Sequence, residues 1–321
     1  MLLIITYHHV GHEDAWPLGG IYPVSPERIR EQVNQLGQVF DFIGQNDLVA
    51  ALHGERDLPE RACLITFDDG LAQQYDLALP VLDSLGAPAV FFVCGQPLRE
   101  GKVLDVHKLQ WCLANMAAGD LLEVLERYCQ SRLKTRLGDL LAEAPKGAYP
   151  RDDPGLRAIK YNFNYHFRPA LRQELLAAVF DSLVEDETAF AESLYMNRQA
   201  ISRLAERGYL GLHTYAHGPL AGRRDDDIIA DLHLNRLTLE DAAGIALGEV
   251  GMSYPYGGAV ALSPEAANAA ARGGVSFGLT TQRGFNFDLN NPMAMFRMDT
   301  NDAPGGKAPV FSQHALPTRW D

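Results

Sequence analysis

The chain has 321 residues, which is long enough to bury a large core in one barrel-sized domain. Its 28 Lys and Arg residues against 41 Asp and Glu residues give a formal net charge of −13. This charge disfavours nucleic acid and anionic lipid as partners, and a neutral or locally cationic substrate fits it better. The four cysteines have neither zinc-type spacing nor the density of a small disulfide scaffold, so we expect reduced, mostly buried thiols.

The N-terminal residues are apolar, but they lack a basic leader and reach a Tyr-His-His segment at residues 7–9. This apolar run is too short for a signal peptide or a membrane span. We therefore expect no membrane span and a cytoplasmic location.

Short apolar segments alternate with helical patterns along most of the chain. Buried parallel strands are predicted in six segments, at residues 2–7, 62–67, 89–93, 208–213, 246–254 and 275–281. The first helix is predicted to begin after Ser25 as N-cap, with Pro26 at its first position. This β/α rhythm predicts a parallel barrel in a single domain, with functional residues at the carboxyl ends of the strands.

Residues 101–194 interrupt this rhythm, because they show amphipathic helical patterns and no convincing strand. We expect a helical insertion, and its position directly after a predicted strand suggests a cap that selects the substrate at the barrel mouth. Within it, the aromatic cluster at residues 161–167 has two interpretations, helix packing or a sugar-stacking surface. Packing is favoured about two to one, since aromatic side chains are mostly core residues.

Two adjacent carboxylates, Asp68 and Asp69, follow the strand at residues 62–67. Neighbouring carboxylates repel each other unless a cation or a proton compensates them. Since successive side chains at a strand end point in different directions, one can bind a metal while the other accepts a proton from the attacking water. An isolated Asp-Asp-Gly is more often an ordinary turn, but the buried strand before it weakens that interpretation.

His213 and His217 lie four positions apart at the end of another predicted strand. A pair of this kind is weak evidence alone, and the two could be unrelated polar residues. One carboxylate and two imidazoles would leave positions on a metal open for water and a substrate oxygen, as a catalytic site requires. Together with the carboxylate pair, they suggest a mononuclear metal hydrolase.

Three motifs resemble those of the NodB-homology polysaccharide deacetylases, which form carbohydrate esterase family 4. They are Thr-Phe-Asp-Asp-Gly at residues 66–70, His-Thr-Tyr-Ala-His at residues 213–217, and Tyr-Pro-Tyr-Gly at residues 254–257. The motifs stand in the family's order, which makes the resemblance specific. It covers about residues 62–95 and 195–300 and the opening segment, while the helical insertion lies outside it.

The resemblance implies a distorted (β/α)7 barrel spanning residues 1–321, with the insertion at 101–194 within it. It also implies that Asp69, His213 and His217 hold one divalent ion. Zinc is the first choice, with nickel, cobalt and manganese as alternatives.

By the same resemblance, Asp68 would be the general base. The third motif would supply residues that contact the substrate or the oxyanion, namely Tyr254, Pro255 and Tyr256.

The chain departs from the usual family pattern in two places. Ser253 stands where the third motif normally begins with an Arg that orients the base, and the late Leu-x-Ile-His motif is not recognisable. A branch of the family that acts on poly-N-acetylglucosamine has a similar third motif and places its acid in an N-terminal Tyr-His segment. His8 is therefore the candidate general acid, with His9 second, and Arg297 is a candidate replacement for the missing Arg. A purely structural role stays open for these residues.

The resemblance implies metal-dependent removal of an N-acyl group, most often N-acetyl, from an amino sugar or glycan. We expect the substrate to be a precursor or intermediate in surface polysaccharide synthesis. One alternative is a sugar N-deformylase, which the same residues would serve with a smaller acyl pocket. Another is a catalytically inactive carbohydrate-binding homologue. The departures from the motifs support it, while the intact Asp68, Asp69, His213 and His217 argue against it. The oligomeric state cannot be predicted from the sequence.

Overall fold

The computed structural model describes residues 1–12, 22–145, 149, 152–312 and 315–316. The chain divides into two compact units. One contains the described residues before Gly101 together with those that follow Ala191, and the other contains the described residues of Gly101–Ala191.

The first unit is a closed barrel of parallel strands. Its strands are β1 (Leu2–Tyr7), β2 (Asp41–Phe42), β3 (Ala62–Phe67), β4 (Ala89–Val93), β5 (Leu210–Leu212), β6 (Val250–Ser253), β7 (Val275–Arg283) and β8 (Met295–Asp299). The order β1-β8-β7-β6-β5-β4-β3 closes through pairing of β1 with β3, while the two-residue β2 lies beside the start of β3. Seven strands thus form the ring, and the predicted (β/α)7 barrel is confirmed.

Helices connect the strands. They are α1 (Pro26–Leu36), α2 (Gln45–Leu52), α3 (Leu79–Leu85), α4 (Gln96–Glu100), α5 (Asp105–Asn115), α6 (Ala118–Tyr128), α7 (Leu137–Leu140), α8 (Pro154–Tyr161), α9 (Pro169–Phe180), α10 (Glu187–Leu194), α11 (Arg198–Glu206), α12 (Asp225–Ala243) and α13 (Pro264–Arg272). Helix α1 begins as predicted, because the Ser25 hydroxyl accepts the Arg28 N–H at 3.3 Å and Pro26 occupies the first turn. A single π-helical turn, Gln74–Ala78, precedes α3.

The barrel interior and the helix-facing layer draw on alternate residues of the same strands. Leu2 and Ile4 of β1 belong to a small cluster with Phe92 and Phe277, whereas Leu3, Ile5 and Tyr7 pack in the larger cluster with the helices. Two glycines make room inside the barrel. A Cβ atom at Gly211 would overlap the Phe92 ring, and one at Gly251 would overlap the Phe277 ring.

The second unit is helical in its described residues. Phe163 and Phe167 are buried there and meet edge to face, with ring centroids 5.2 Å apart. These two aromatic side chains pack in the core of this unit, as the favoured interpretation of the 161–167 cluster required. A largely buried ion pair joins Arg172 Nε to Asp105 Oδ2 at 2.7 Å.

All four cysteines are free and buried, as expected from their spacing. In the described part of the chain, no helix is both long enough and apolar enough to cross a membrane.

Candidate active site

The candidate residues converge at the carboxyl ends of the barrel strands. His8 follows β1, Asp68 and Asp69 follow β3, and His213 follows β5. Because all strands of the ring are parallel, these ends lie on the same face of the barrel. Local sequence explains the placement, since each apolar strand is buried and the polar residue comes directly after it.

Asp69, His213 and His217 form a buried triad. The Oδ1 atom of Asp69 lies 3.2 Å from Nε2 of His213 and 3.3 Å from Nε2 of His217. All three possible ligand atoms lie within 4.8 Å of one another. The structure thus brings together the three residues that were expected to bind a metal.

The donor set and its spacing fit a divalent ion. Tetrahedral zinc with bonds of about 2.0 to 2.1 Å places neighbouring ligand atoms roughly 3.3 Å apart, which matches both distances from Asp69. The other ring nitrogen of His213, Nδ1, donates to the Ser253 carbonyl oxygen at 2.7 Å, which directs Nε2 towards Asp69. Burial lowers the pKa of His213, but the attraction of Asp69 and Asp68 outweighs it and raises this pKa, so the pocket favours positive charge.

Backbone strain concentrates at this site. Six non-glycine residues in the described part of the chain have a positive φ angle, and four of them carry or adjoin the candidate residues, namely Asp69 (80°), Thr214 (57°), His217 (56°) and Tyr256 (61°). Left-handed conformations cost energy for such residues and persist only where the surrounding structure holds them. The turn at Asp69 directs the Asp69 carboxylate to the two histidines, while the Asp68 carboxylate faces other partners.

Asp68 is buried and bound by Arg297 and Ser253. Arg297 Nη1 lies 2.9 Å from Oδ1 and 2.8 Å from Oδ2 of this carboxylate, and the Ser253 hydroxyl donates to Oδ2 at 2.9 Å. Burial raises the pKa of Asp68, but the positive charge of Arg297, with contributions from His213 and His8, holds that pKa below its ordinary value. The carboxylate is therefore ionised at neutral pH and able to accept a proton.

Arg297 reaches Asp68 from inside the barrel. It lies on β8 and is only 2% exposed. Its Nε donates to the Thr280 carbonyl oxygen at 2.8 Å, and its Nη1 also approaches the Thr6 hydroxyl at 3.1 Å. These contacts fix the guanidinium beside the carboxylate. The candidate replacement for the missing Arg thus contacts the candidate base from a different strand.

The two N-terminal histidines occupy different surroundings. His8 Nε2 lies 3.7 Å from Asp68 Oδ2, with the His8 side chain 43% exposed. This distance exceeds a hydrogen bond, so the imidazole and the carboxylate face a common space without being directly bonded. His9 is half-buried, and its carbonyl oxygen accepts the Val24 N–H at 3.0 Å.

Some residues of the third motif lie in the core, and one lies at the candidate site. The Tyr254 side chain is buried, and its hydroxyl donates to the Met293 carbonyl oxygen at 2.9 Å, so this side chain is held in the core. Pro255 is buried beside it. Tyr256 instead packs edge to face on His217, with ring centroids 4.8 Å apart. The structure therefore brings Tyr256, and not the Tyr254 ring, against a candidate metal ligand.

A cavity of about 510 Å³ adjoins the third motif. Its lining includes Gly257 and Thr281, and the Thr281 hydroxyl donates to the Tyr256 carbonyl oxygen at 2.9 Å. Leu262, Met293 and the exposed Asn268 form other parts of its wall. None of the described residues that line the cavity carries a charge.

Two residues that contribute to the site, Ser253 and Gln74, were not predicted from the sequence to be functional. Ser253 appears there only as a departure from a motif, yet its hydroxyl binds Asp68 and its carbonyl oxygen binds His213. Gln74 uses its side-chain amide to bind the carbonyl oxygens of His8 at 2.9 Å and Asp68 at 2.5 Å, which ties two strand ends together. Ser253 could have been identified from its position directly before the third motif, whereas no sequence feature points to Gln74.

Residues 55–116 match the family model described as polysaccharide deacetylase. This segment contains β3 with the Asp68–Asp69 pair. No curated protein sequence matches the chain.

Solved structures share the fold over most of the chain. The Streptococcus pyogenes deacetylase PplD, determined in complex with acetate, is 14% identical with a TM-score of 0.57, covering 98% of this chain and 95% of its own. IcaB from Ammonifex degensii is 18% identical with a TM-score of 0.55, and the match covers 92% of this chain and 90% of IcaB. A de-N-acetylase from Aggregatibacter actinomycetemcomitans is 14% identical with a TM-score of 0.52, and the match covers 92% of this chain and 94% of that enzyme.

Identities this low establish the shared fold alone, and the family model supplies the sequence match. Together they confirm the resemblance to the NodB-homology polysaccharide deacetylases.

Proposed function

We propose that this chain, which resembles the polysaccharide deacetylases in fold and in one sequence segment, hydrolyses the N-acetyl group of an amino sugar in a metal-dependent reaction. The observation that carries the proposal is that the adjacent carboxylates of Asp68 and Asp69 have different partners. Asp69 faces two imidazoles, while Asp68 faces an arginine, a serine and the exposed His8. A metal-binding group and a separate proton acceptor are the two components that metal-assisted hydrolysis of an amide by water uses.

Asp69, His213 and His217 would hold the ion, and we propose zinc because of the two nitrogen donors and the single carboxylate. The chemistry that such an ion supplies is Lewis acidity, which polarises the amide carbonyl and lowers the pKa of water.

Asp68 accepts the proton of the attacking water in this proposal. Its contacts with Arg297 and Ser253 keep it ionised and hold it in one orientation. A backbone N–H near Tyr256 would stabilise the oxyanion, because the strained turn places this segment against His217. The Tyr254 side chain has no contact with the substrate in this scheme.

His8 donates a proton to the leaving amine of the sugar. Its exposed imidazole lies 3.7 Å from the Asp68 carboxylate. With a substrate bound beside this pair, His8 could protonate the leaving nitrogen, while Asp68 takes a proton from the water that attacks the acyl carbon. His9 is the second candidate. Both assignments rest on position at the end of β1.

The direct experiment is acetate release by the purified full chain from N-acetylglucosamine oligosaccharides. We expect hydrolysis that stops on treatment with a chelator and returns on addition of Zn²⁺. Formate release from N-formyl sugars with no acetate release would indicate the deformylase. Oligosaccharide binding without release of either acid would indicate the inactive homologue.

Two features bear on the substrate. We propose that the helical insertion at 101–194 influences substrate choice, since it interrupts the barrel sequence between β4 and β5. The uncharged cavity beside the third motif suits a neutral sugar better than a phosphate. The uncharged lining favours a glycan, and a role in the synthesis of a surface polysaccharide is part of the proposal.

Replacing His8 with alanine should lower turnover on the amide substrate by about a hundredfold to ten-thousandfold, the usual contribution of a general acid. Metal content should not change, because His8 is separate from the Asp69–His213–His217 triad. An aryl acetate, whose phenolate leaves without a proton, should be hydrolysed with a much smaller defect. Steady-state kinetics on both substrates, together with metal analysis, measure this difference.

The matched control is His9→Ala, which we expect to have a smaller effect on turnover. A severe defect in His9→Ala with near-normal turnover in His8→Ala would transfer the acid role to His9. Near-normal turnover in both variants would show that the acid lies elsewhere.

A further inference from the structure

The loop from His213 to His217 supplies two of the three candidate metal ligands. Thr214 and His217 both have left-handed backbone conformations in it, with φ angles of 57° and 56°. Such a loop does not hold its shape by local preference, so contacts from neighbouring elements must stabilise it.

Tyr215, at the centre of the loop, is bound at three points. Its backbone N–H donates to Oδ1 of Asp231 at 2.7 Å, and its carbonyl oxygen accepts the Gln96 N–H at 2.9 Å. Its hydroxyl donates to Glu100 at 2.5 Å. Of these partners, Asp231 is the charged group that binds the loop backbone directly, and a hydrogen bond to a carboxylate is stronger than one between neutral groups.

Asp231 is itself held in place. It lies on α12, and its side chain is only 14% exposed. Its second oxygen, Oδ2, pairs with Arg223 Nη1 at 3.0 Å, and Arg223 Nη2 donates to the Asp227 carbonyl oxygen at 2.9 Å. One oxygen is therefore directed at the loop and the other at a fixed cation, so the carboxylate has a single orientation.

We infer that Asp231 is a positioning residue for the metal site, acting through the Tyr215 backbone to hold His213 and His217 at the spacing the ion requires. This inference rests on the proposed metal site and extends it to a residue that neither binds the ion nor belongs to a recognised motif. Second-shell partners of metal ligands typically change metal affinity by 10- to 100-fold when they are substituted.

The test measures the Zn²⁺ affinity of the full chain by competition with a chromophoric chelator. Asp231→Ala should weaken binding by about 10- to 100-fold. Asp231→Asn retains an oxygen that accepts the Tyr215 N–H and should recover most of this loss. The control is Asp241→Ala on the same helix, which removes a largely exposed carboxylate paired with Arg198 and should leave affinity unchanged.

Thermal unfolding of the metal-free variants separates positioning from general stability. The inference is supported if Asp231→Ala has the melting temperature of the parent chain but a lower affinity for Zn²⁺. It is overturned if this variant binds Zn²⁺ with the affinity of the parent chain. If Asp231→Ala does not fold, Arg223→Met decides the matter, because it leaves the carboxylate with one anchor. A severalfold loss of affinity supports the inference, and parental affinity overturns it. Parental affinity in His213→Ala would instead show that the metal site itself is misassigned.

Discussion

Replacing His213 with alanine is expected to remove zinc binding and hydrolysis together. The substitution deletes one of three donor atoms from a buried site and leaves the Ser253 carbonyl oxygen without its imidazole partner. Loss of an outer partner alone costs about 10- to 100-fold in metal affinity, so loss of a ligand should exceed about 100-fold. Metal analysis after dialysis and acetate release by the same samples measure both effects.

The matched control is His233→Ala, since His233 is exposed on α12 and lies outside the triad. This variant should retain parental metal content and turnover. Full zinc occupancy in His213→Ala would disprove the assignment of this residue as a ligand, whatever the activity.

Replacing Arg297 with methionine is expected to destabilise the chain and to abolish most of its activity. Removing one partner of a buried ion pair leaves an uncompensated charge and typically costs about 3–5 kcal/mol. Arg297 also binds the Thr280 carbonyl oxygen, which loses its donor in this variant. Turnover should fall on the scale of a lost general base, about a hundredfold to ten-thousandfold, because Asp68 is no longer held ionised in one orientation.

A double variant distinguishes the two effects. Arg297→Met combined with Asp68→Asn removes both charges, so we expect most of the stability to return while activity stays low. Urea unfolding of metal-free protein measures stability without a contribution from bound ion. The control is Arg283→Met, which removes a half-exposed Arg paired with Asp302 and should change stability little. Equal stability of Arg297→Met and the parent chain would contradict the ion-pair argument.

Strand prediction succeeded where the sequence pattern was continuous. The runs at 2–7, 62–67 and 89–93 became β1, β3 and β4 with the same bounds, because apolar, partly β-branched segments of this length are typical of strands buried on both faces. The predicted segment 246–254 shortened to Val250–Ser253, since strand ends carry little signal. β8 was not predicted, because the buried Arg297 interrupts its apolar run.

The candidate metal ligands were accessible from sequence for a related reason. Asp69 and His213 lie within two residues of the end of an apolar strand, His217 lies four positions after His213, and the ends of parallel strands meet on one face. Ser253 and Arg297 show the limit of this reasoning. One stands where a motif residue is missing, the other lies on an unpredicted strand, and only closure of the barrel brings both to Asp68.

By itself, the sequence determined the barrel class, the free buried cysteines and the resemblance carried by three motifs, since each depends on local patterns or residue types. The tertiary structure alone decided which group orients Asp68, that the Tyr254 side chain packs in the core, and that Asp231 holds the His213–His217 loop. Those contacts join residues up to 229 positions apart, as between Arg297 and Asp68. Their geometry is set by barrel closure and helix packing, which local sequence preferences do not encode.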